Sequence, residues 1–219
     1  MNDKIFDILI HLLVLFTAVP VHEFAHAFVA SKLGDDTPER QGRVTLNPFA
    51  HLSLWGSLML VVAGFGWGKP VSVNPGNFKK PKRDMMLSSL AGPVSNFIMA
   101  FLSMIICKLL IYAGVYRFDS ETCLWLSVAF QYICLINISL GVFNFLPIPP
   151  LDGSKIFNAV LPDRIYFKIM SVERYIALVM IVLLYSGLLD APLEFLQIKA
   201  IRIMDFLTLW VDALAGSGI

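Results

Sequence analysis

Charge is scarce in this chain of 219 residues, because only 15% of them are Asp, Glu, Lys or Arg while 57% are hydrophobic. An average soluble domain carries about 25% charged residues, so the composition excludes that class and indicates an integral membrane protein in contact with a lipid bilayer. The formal net charge is only +1, and the basic residues cluster in short loops. Nothing in this charge pattern indicates a nucleic-acid partner.

Cysteine is also scarce, and Cys107, Cys123 and Cys134 are odd in number, lie in apolar segments and lack C-x-x-C spacing. This pattern argues against a disulfide framework and a thiolate zinc site, so we interpret the three thiols as packing residues. No internal repeat and no segment typical of a PDZ domain is evident. We therefore predict one integral membrane domain over residues 1–219, with a catalytic core at about residues 5–160 and membrane segments at residues 172–215.

The apolar segments predict an all-α polytopic membrane protein with four to six membrane segments. Three are clear: Ile5 to Leu33, Met85 to Val115 and Thr122 to Leu146. The run from Leu52 to Trp67 ends in glycines and is either a span or a re-entrant segment. The basic loop from Lys69 to Arg83 is cytoplasmic by the positive-inside rule.

The last third of the chain is less regular. Asp152 to Arg174 contains four basic residues and is consistent with a cytoplasmic loop, after which Tyr175 to Leu189 begins a further span. Leu193 to Leu214 is interrupted by charged residues and is either an interfacial amphipathic helix or a last span.

Histidine occurs only four times, yet His22, Glu23 and His26 form an H-E-x-x-H motif inside the first apolar segment. On a helix, residues four apart share a face, so both histidines can bind one Zn²⁺ while Glu23 serves as the general base. The alternative is that the histidines are packing residues with Glu23 as their hydrogen-bond partner. Ionisable groups inside a membrane helix are costly, which favours the functional interpretation.

A catalytic zinc usually has three protein ligands, so a third must come from elsewhere. The metzincin pattern requires a glycine and a histidine where this chain has Val29 and Lys32, which excludes that class. Glu39 lies in a polar loop, whereas Asp152 follows a proline-rich turn that can line a cavity at membrane depth. From these residues alone, Asp152 is equally consistent with a zinc ligand and with a cap of the next helix.

Three motifs occur together in one order: the H-E-x-x-H, Ala91-Gly92-Pro93-Val94-Ser95-Asn96, and Asn144 through Asp152-Gly153. Together they resemble the site-2 protease family of intramembrane zinc metalloproteases, and the segment Gly42 to His51 is similar to a compact prokaryotic branch without a PDZ domain. The resemblance implies one Zn²⁺ per chain, bound by His22, His26 and Asp152, with Glu23 as the base.

If one metal binds all three ligands, Leu33 lies at the same membrane face as Asp152, which is the cytoplasmic face of a prokaryotic cell membrane. The chain from Gly34 to Arg83 then begins and ends on that face. This favours a re-entrant or membrane-embedded β region for Leu52 to Trp67 over a simple span.

We interpret the protein as an intramembrane zinc metalloprotease that cleaves within or near transmembrane segments of other membrane proteins. Asn144 and Asn96 are the candidate donors to the oxyanion, and each is equally consistent with interhelical hydrogen bonding or helix capping. Two other functions use the same residues: a membrane ion or metal transporter, and a protein that binds transmembrane segments without cleaving them. The oligomeric state is left open.

Overall fold

The computed structural model describes residues 9, 12–63, 68–114 and 120–216, and these residues form helices and connecting turns without a strand. The start of the first predicted segment and residues 64–67 lie outside the described residues. The helices in chain order are α1 (Val19–Lys32), α2 (Thr37–Arg40), α3 (Pro48–His51), α4 (Leu54–Ala63), α5 (Pro81–Tyr112), α6 (Glu121–Asn144), α7 (Asp152–Asn158), α8 (Asp163–Tyr185), α9 (Asp190–Leu207) and α10 (Leu209–Gly216).

Two described helices, α5 and α6, are long and apolar enough to cross a membrane. They correspond to the predicted segments Met85 to Val115 and Thr122 to Leu146. The two helices pack side by side and antiparallel, since Gly141 near the end of α6 faces Phe97 in α5 and Gly114 after α5 faces Cys123 at the start of α6. In the most apolar part of α5, only 22% of residues are buried inside the protein, which leaves a broad apolar face on its outside.

The apolar core lies between α5, α6 and α9. Its most buried members are Ala100, Cys134, Ile138, Val142 and Met204. Two salt bridges also join α5 to the end of α9 and to α10. Lys108 Nζ in α5 lies 2.8 Å from Asp205 Oδ1 in α9 and 2.6 Å from Asp212 Oδ2 in α10.

Helix α1 packs along α5 and carries the H-E-x-x-H motif. A proline cannot donate the backbone hydrogen bond expected at its position, so the sequence predicts that Pro20 bends or locally opens the helix. The structure has a π-helical turn, Val14–Ala18, directly before α1. This π-helical turn ends two residues before Pro20, which has no backbone N–H to donate to the preceding turn.

The region between α1 and α5 does not show the predicted β structure in its described part. The apolar run forms the ten-residue helix α4, and the nearest feature to a sheet is an isolated bridge between Leu52 and Gly68. Ten helical residues reach about 15 Å, which is half the thickness of a bilayer core. After the bridge, residues 69–74 form an extended segment that reaches α1 at Val71 and pairs with no strand among the described residues.

The C-terminal third differs from the sequence prediction in one respect. Asp152 to Arg174 was expected to be a loop, but α7 and the first half of α8 occupy most of it. The apolar residues Ile165, Ile169 and Val172 recur at helical spacing beside the basic residues Arg164 and Lys168, a sequence pattern that is typical of an amphipathic helix. The run from Leu193 to Leu214 is divided into α9 and α10 at Thr208.

Candidate metal centre

The structure brings together His22 and His26 from α1 and Asp152 from the first residue of α7. The Nε2 atoms of the two histidines lie 3.0 Å apart, and each lies 3.1 Å from Asp152 Oδ2. Both histidines are buried, and the Asp152 side chain is 13% exposed. The three residues that the family resemblance indicated as ligands therefore form one compact triangle.

Hydrogen bonds at the far side of each imidazole fix which nitrogen faces the triangle. His26 Nδ1 lies 2.7 Å from the backbone carbonyl of Ser88, and a carbonyl can only accept, so this Nδ1 carries the proton. His22 Nδ1 donates in the same way to Asn96 Oδ1 at 2.6 Å. Each Nε2 consequently presents an unprotonated lone pair to the triangle.

This arrangement fits a zinc ion. Two bare imidazole nitrogens and a carboxylate oxygen face one another with no proton between them, which is repulsive unless a cation binds there. Ligand atoms about 2.0–2.1 Å from a tetrahedral Zn²⁺ lie roughly 3.3 Å from one another, close to the observed separations. Two nitrogens and one oxygen fill three positions and leave a fourth open, as in catalytic zinc sites.

Gly92 provides the space in which the two imidazoles sit. A Cβ atom on Gly92 would overlap Nε2 of His26 and would lie 2.6 Å from Cε1 of His22. The next residue, Pro93, is fully buried within α5. The Gly-Pro pair of the middle motif thus allows α5 to approach α1 closely at the level of the histidines.

The turn before α7 delivers Asp152 to the site. Helix α6 ends at Asn144, and the chain then turns through Pro147 and a cis Pro149-Pro150 bond before α7 begins. The capping alternative for Asp152 is not what the structure shows, since its carboxylate contacts the histidines and α7 has no side-chain cap. Glu39, the other carboxylate considered, accepts from Ser31 instead.

Glu23 follows His22 in α1 and is held by one of its two carboxylate oxygens. Its Oε2 accepts from the backbone N–H of Val71 at 3.1 Å, whereas Oε1 has no hydrogen bond within the described part of the chain. The extended segment 69–74 thereby orients the carboxylate. One oxygen is fixed and the other is available to take a proton.

The two asparagines have different surroundings. The Asn96 amide is fully buried between His22 and Asn137, which favours the interhelical hydrogen-bonding alternative over an oxyanion role. Asn144 is half-buried, and its Nδ2 donates to Leu140 O in its own helix at 3.0 Å. Its proposed contact with the oxyanion stays a prediction.

A second buried carboxylate anchors the segment that orients Glu23. Asp35 is fully buried and accepts from Asn74 N and from Asn77 Nδ2, both at 2.7 Å, and from Thr37 Oγ1 at 2.6 Å. Burial would raise the pKa of Asp35, but these hydrogen bonds outweigh it, and the pKa lies below its ordinary value. At the other end of the segment, Arg43 donates to Lys69 O at 3.2 Å.

Several groups of the site were not predicted from the sequence. Ser88 O and Val71 N are backbone groups, which every residue type has apart from the N–H of proline, so the sequence does not single them out. Gly92 lies in a motif that was identified without a structural role. Asn137 could have been found, because an amide in the middle of an apolar helix needs a partner.

Comparisons with known proteins agree with this geometry. The family model described as Peptidase family M50 matches residues 113–187. "Putative zinc metalloprotease YwhC" of Bacillus subtilis is 41% identical over 181 residues, covering 83% of this chain and 81% of that protein. The chain belongs to peptidase family M50. It is a zinc metalloprotease of the site-2 protease type, and zinc is its cofactor.

Two less similar relatives are also named as zinc metalloproteases. "Putative zinc metalloprotease Rip2" of Mycolicibacterium smegmatis is 31% identical over 175 residues, covering 78% of this chain and 64% of that protein. "Zinc metalloprotease MJ0392" of Methanocaldococcus jannaschii is 28% identical over 193 residues, covering 87% of this chain and 46% of that protein. No solved structure was found to match the chain.

Proposed function

We propose that this M50 protein is an intramembrane protease that hydrolyses peptide bonds within or near transmembrane segments of membrane proteins. The observation that carries the proposal is the position of the ligand triangle among apolar helices. His22 is hydrogen-bonded to Asn96 in α5, a helix long and apolar enough to cross a membrane. A hydrolytic site in such surroundings is suited to substrates that are themselves in the bilayer.

In this proposal His22, His26 and Asp152 hold the zinc and Glu23 is the general base. Bound zinc would act as a Lewis acid that polarises the peptide carbonyl and lowers the pKa of water. Glu23 Oε1 takes the proton from the attacking water and later returns one to the leaving amine, while Val71 N–H holds Oε2 in place. The hydrogen bonds at Nδ1 of the two histidines keep their ligand nitrogens directed at one point.

The substrate must be unwound near the bond to be cut, because the carbonyls of a transmembrane helix are hydrogen-bonded within the helix. The extended segment 69–74 can pair with such an unwound stretch. Val71 and Val73 are half-buried while Ser72 and Asn74 are exposed, the alternation of an extended chain. Backbone pairing by edge addition would place substrate beside Glu23 without a strong sequence requirement.

Asn144 is the proposed side-chain donor to the oxyanion. It lies at the end of α6, before the turn that carries Asp152 to the zinc ligands. One of its amide hydrogens bonds Leu140 O, which leaves the second for a substrate oxygen.

We further propose that the site opens toward the cytoplasm, and that α1, α8 and α9 accompany α5 and α6 in the membrane to give the expected four to six segments. Basic residues gather at the end of the molecule that holds Asp152: Lys80 and Arg83 flank the start of α5, and Lys155 lies in α7. Lys82 Nζ donates to Leu161 O at 2.8 Å, which links the start of α5 to the turn after α7. Basic residues at one end of membrane helices favour the cytoplasmic side.

The experiment uses the full chain in lipid nanodiscs with a model transmembrane substrate. The wild-type protein should cleave the substrate at a bond within its apolar stretch, as located by mass spectrometry. The Glu23→Gln variant should bind zinc as the wild type does and lose at least about 10²-fold in rate, because the general base is absent.

Equal cleavage by the two forms would contradict the assignment of Glu23. Cleavage confined to soluble peptides would contradict the intramembrane substrate. A transporter would instead move metal into sealed vesicles without cutting, and a non-cleaving binding protein would retain the intact substrate whether or not Glu23 is present.

A further inference from the structure

A series of three hydrogen bonds runs from the backbone of α6 to the imidazole of His22. Asn137 Nδ2 donates to Ile133 O at 2.8 Å, and Asn96 Nδ2 donates to Asn137 Oδ1 at 2.8 Å. Asn96 Oδ1 then lies 2.6 Å from His22 Nδ1. The side chains of Asn96 and Asn137 are fully buried, so water does not substitute for either partner.

The backbone carbonyl of Ile133 determines which group donates and which accepts in every hydrogen bond of this series. A backbone carbonyl can only accept, so the Asn137 amide must turn its NH₂ group to Ile133 and its Oδ1 to Asn96. Asn96 must then turn its NH₂ group to Asn137, which leaves its Oδ1 facing His22. An oxygen at that position requires His22 to carry its proton on Nδ1.

We propose that Asn137 is a positioning residue that sets the tautomer of His22 through Asn96. A neutral histidine binds zinc through the nitrogen that lacks a proton, and the hydrogen bond at the other nitrogen decides which one that is. His22 therefore offers Nε2 to the metal because Asn137, on a different helix and two hydrogen bonds away, prevents the Asn96 amide from reversing.

Loss of Asn137 removes the restraint on Asn96. Without an acceptor for its NH₂ group, the amide can rotate by about 180° and present Nδ2 to His22, since the two orientations have nearly the same shape. His22 Nδ1 would then have to accept, its proton would move to Nε2, and the ligand lone pair would be lost. His26 is unaffected because Ser88 O, a backbone group, fixes its tautomer.

The test measures the tautomer and the zinc affinity, so it rests on zinc as the cofactor and is independent of the substrate proposed above. In metal-free protein in nanodiscs at alkaline pH, where the imidazoles are neutral, ¹⁵N NMR of the histidine side chains should show protonated Nδ1 for His22 in the wild type. Asn137→Leu should give protonated Nε2, and chelator competition should show a 10–100-fold weaker affinity for zinc. Thermal unfolding of each metal-free variant verifies that it is folded.

Asn137→Asp is the conservative variant. A carboxyl group buried among apolar helices stays protonated, so its O–H can donate to Ile133 O while its carbonyl oxygen accepts from Asn96. The tautomer of His22 and the zinc affinity should both stay as in the wild type. Ser127→Ala is the matched control, since Ser127 is buried in the same helix and its hydroxyl donates to Leu124 O, away from the asparagines.

An Asn96→Leu background tests whether Asn137 acts through Asn96. With no amide at position 96, adding Asn137→Leu should change neither the tautomer of His22 nor the zinc affinity any further. The proposal is overturned if Asn137→Leu keeps protonated Nδ1 and wild-type affinity, or if Ser127→Ala weakens zinc binding equally. It is also overturned if Asn137→Asp behaves like Asn137→Leu, an outcome that remains measurable should the leucine variant fail to fold.

Discussion

Gly92 and His26 lie so close together that residue 92 has room for a hydrogen atom but not for a Cβ, which would collide with Nε2 of His26. A Cβ at residue 92 would overlap His26 Nε2 and would also press on His22. Helix α5 therefore approaches α1 at the distance that the two imidazoles need in order to converge.

We expect Gly92→Ala to weaken zinc binding by at least about 10²-fold, because α5 or the imidazoles must shift and misplaced ligands bind metal poorly. Equilibrium dialysis with zinc measures the loss. Gly141→Ala is the matched control, because it adds a Cβ in a tight helix contact, 3.1 Å from Phe97 Cζ at the α5–α6 interface and away from the ligands. Retention of normal zinc affinity in Gly92→Ala would show that the close approach does not position the histidines.

The hydrogen bond from Val71 N–H to Glu23 predicts a variant that still binds zinc but cleaves its substrate more slowly. Val71→Pro removes the N–H, so Glu23 loses its orientation while the three zinc ligands are untouched. We expect a kcat reduced about 10- to 100-fold with unchanged zinc content, which is less than the roughly 10²- to 10⁴-fold that a general base contributes, because Glu23 is misoriented and not removed. Val71→Ala keeps the N–H and should retain the wild-type kcat. A kcat that falls equally in both variants would assign the effect to the valine side chain instead.

Asp35 predicts a dependence of stability on pH. The pKa of Asp35 is lower in the folded protein than the usual value near 3.9. The stabilisation by its charge is therefore fully present above about pH 4. It is lost as the pH falls through the folded-state pKa. Asp35→Asn should lower the unfolding free energy at pH 7 by about 1–3 kcal/mol, because it leaves buried donors without their acceptor.

The difference in stability between wild type and Asp35→Asn should shrink when unfolding is measured at successively lower pH. Asp36→Asn is the matched control, since Asp36 is the exposed neighbour that pairs with Arg40 on the surface. A constant difference between wild type and Asp35→Asn down to pH 2 would mean that the charge of Asp35 is not what stabilises the loop.

The sequence was sufficient to predict the parts of the molecule that depend on local pattern. The H-E-x-x-H spacing on a helix, the two long apolar helices, and the Pro-rich turn before Asp152 are each readable within a short stretch of chain. The choice between ligation and capping for Asp152 was not readable in this way, because it depends on what lies opposite in space. Family resemblance, not local chemistry, favoured ligation.

The features that escaped prediction are those formed between distant segments. Val71 approaches Glu23 through bonds that Asp35 makes with Asn74 and Asn77, and none of these residues is unusual in its own stretch of sequence. The predicted β region is not seen in the described residues, because an apolar run with glycines at its end fits a short helix as well as a strand. The basic residues at the start of α8 favour a loop by charge alone, and the helical spacing of the apolar residues between them is the weaker signal in that stretch.

The ligand triangle joins the start of the chain to a residue 130 positions further on. Synthesis runs from the amino to the carboxyl end, so both histidines are made long before Asp152. Until then, only two of the three ligands exist. The complete triangle is therefore a property of the whole fold through α7, and no amino-terminal fragment that stops short of α7 contains it.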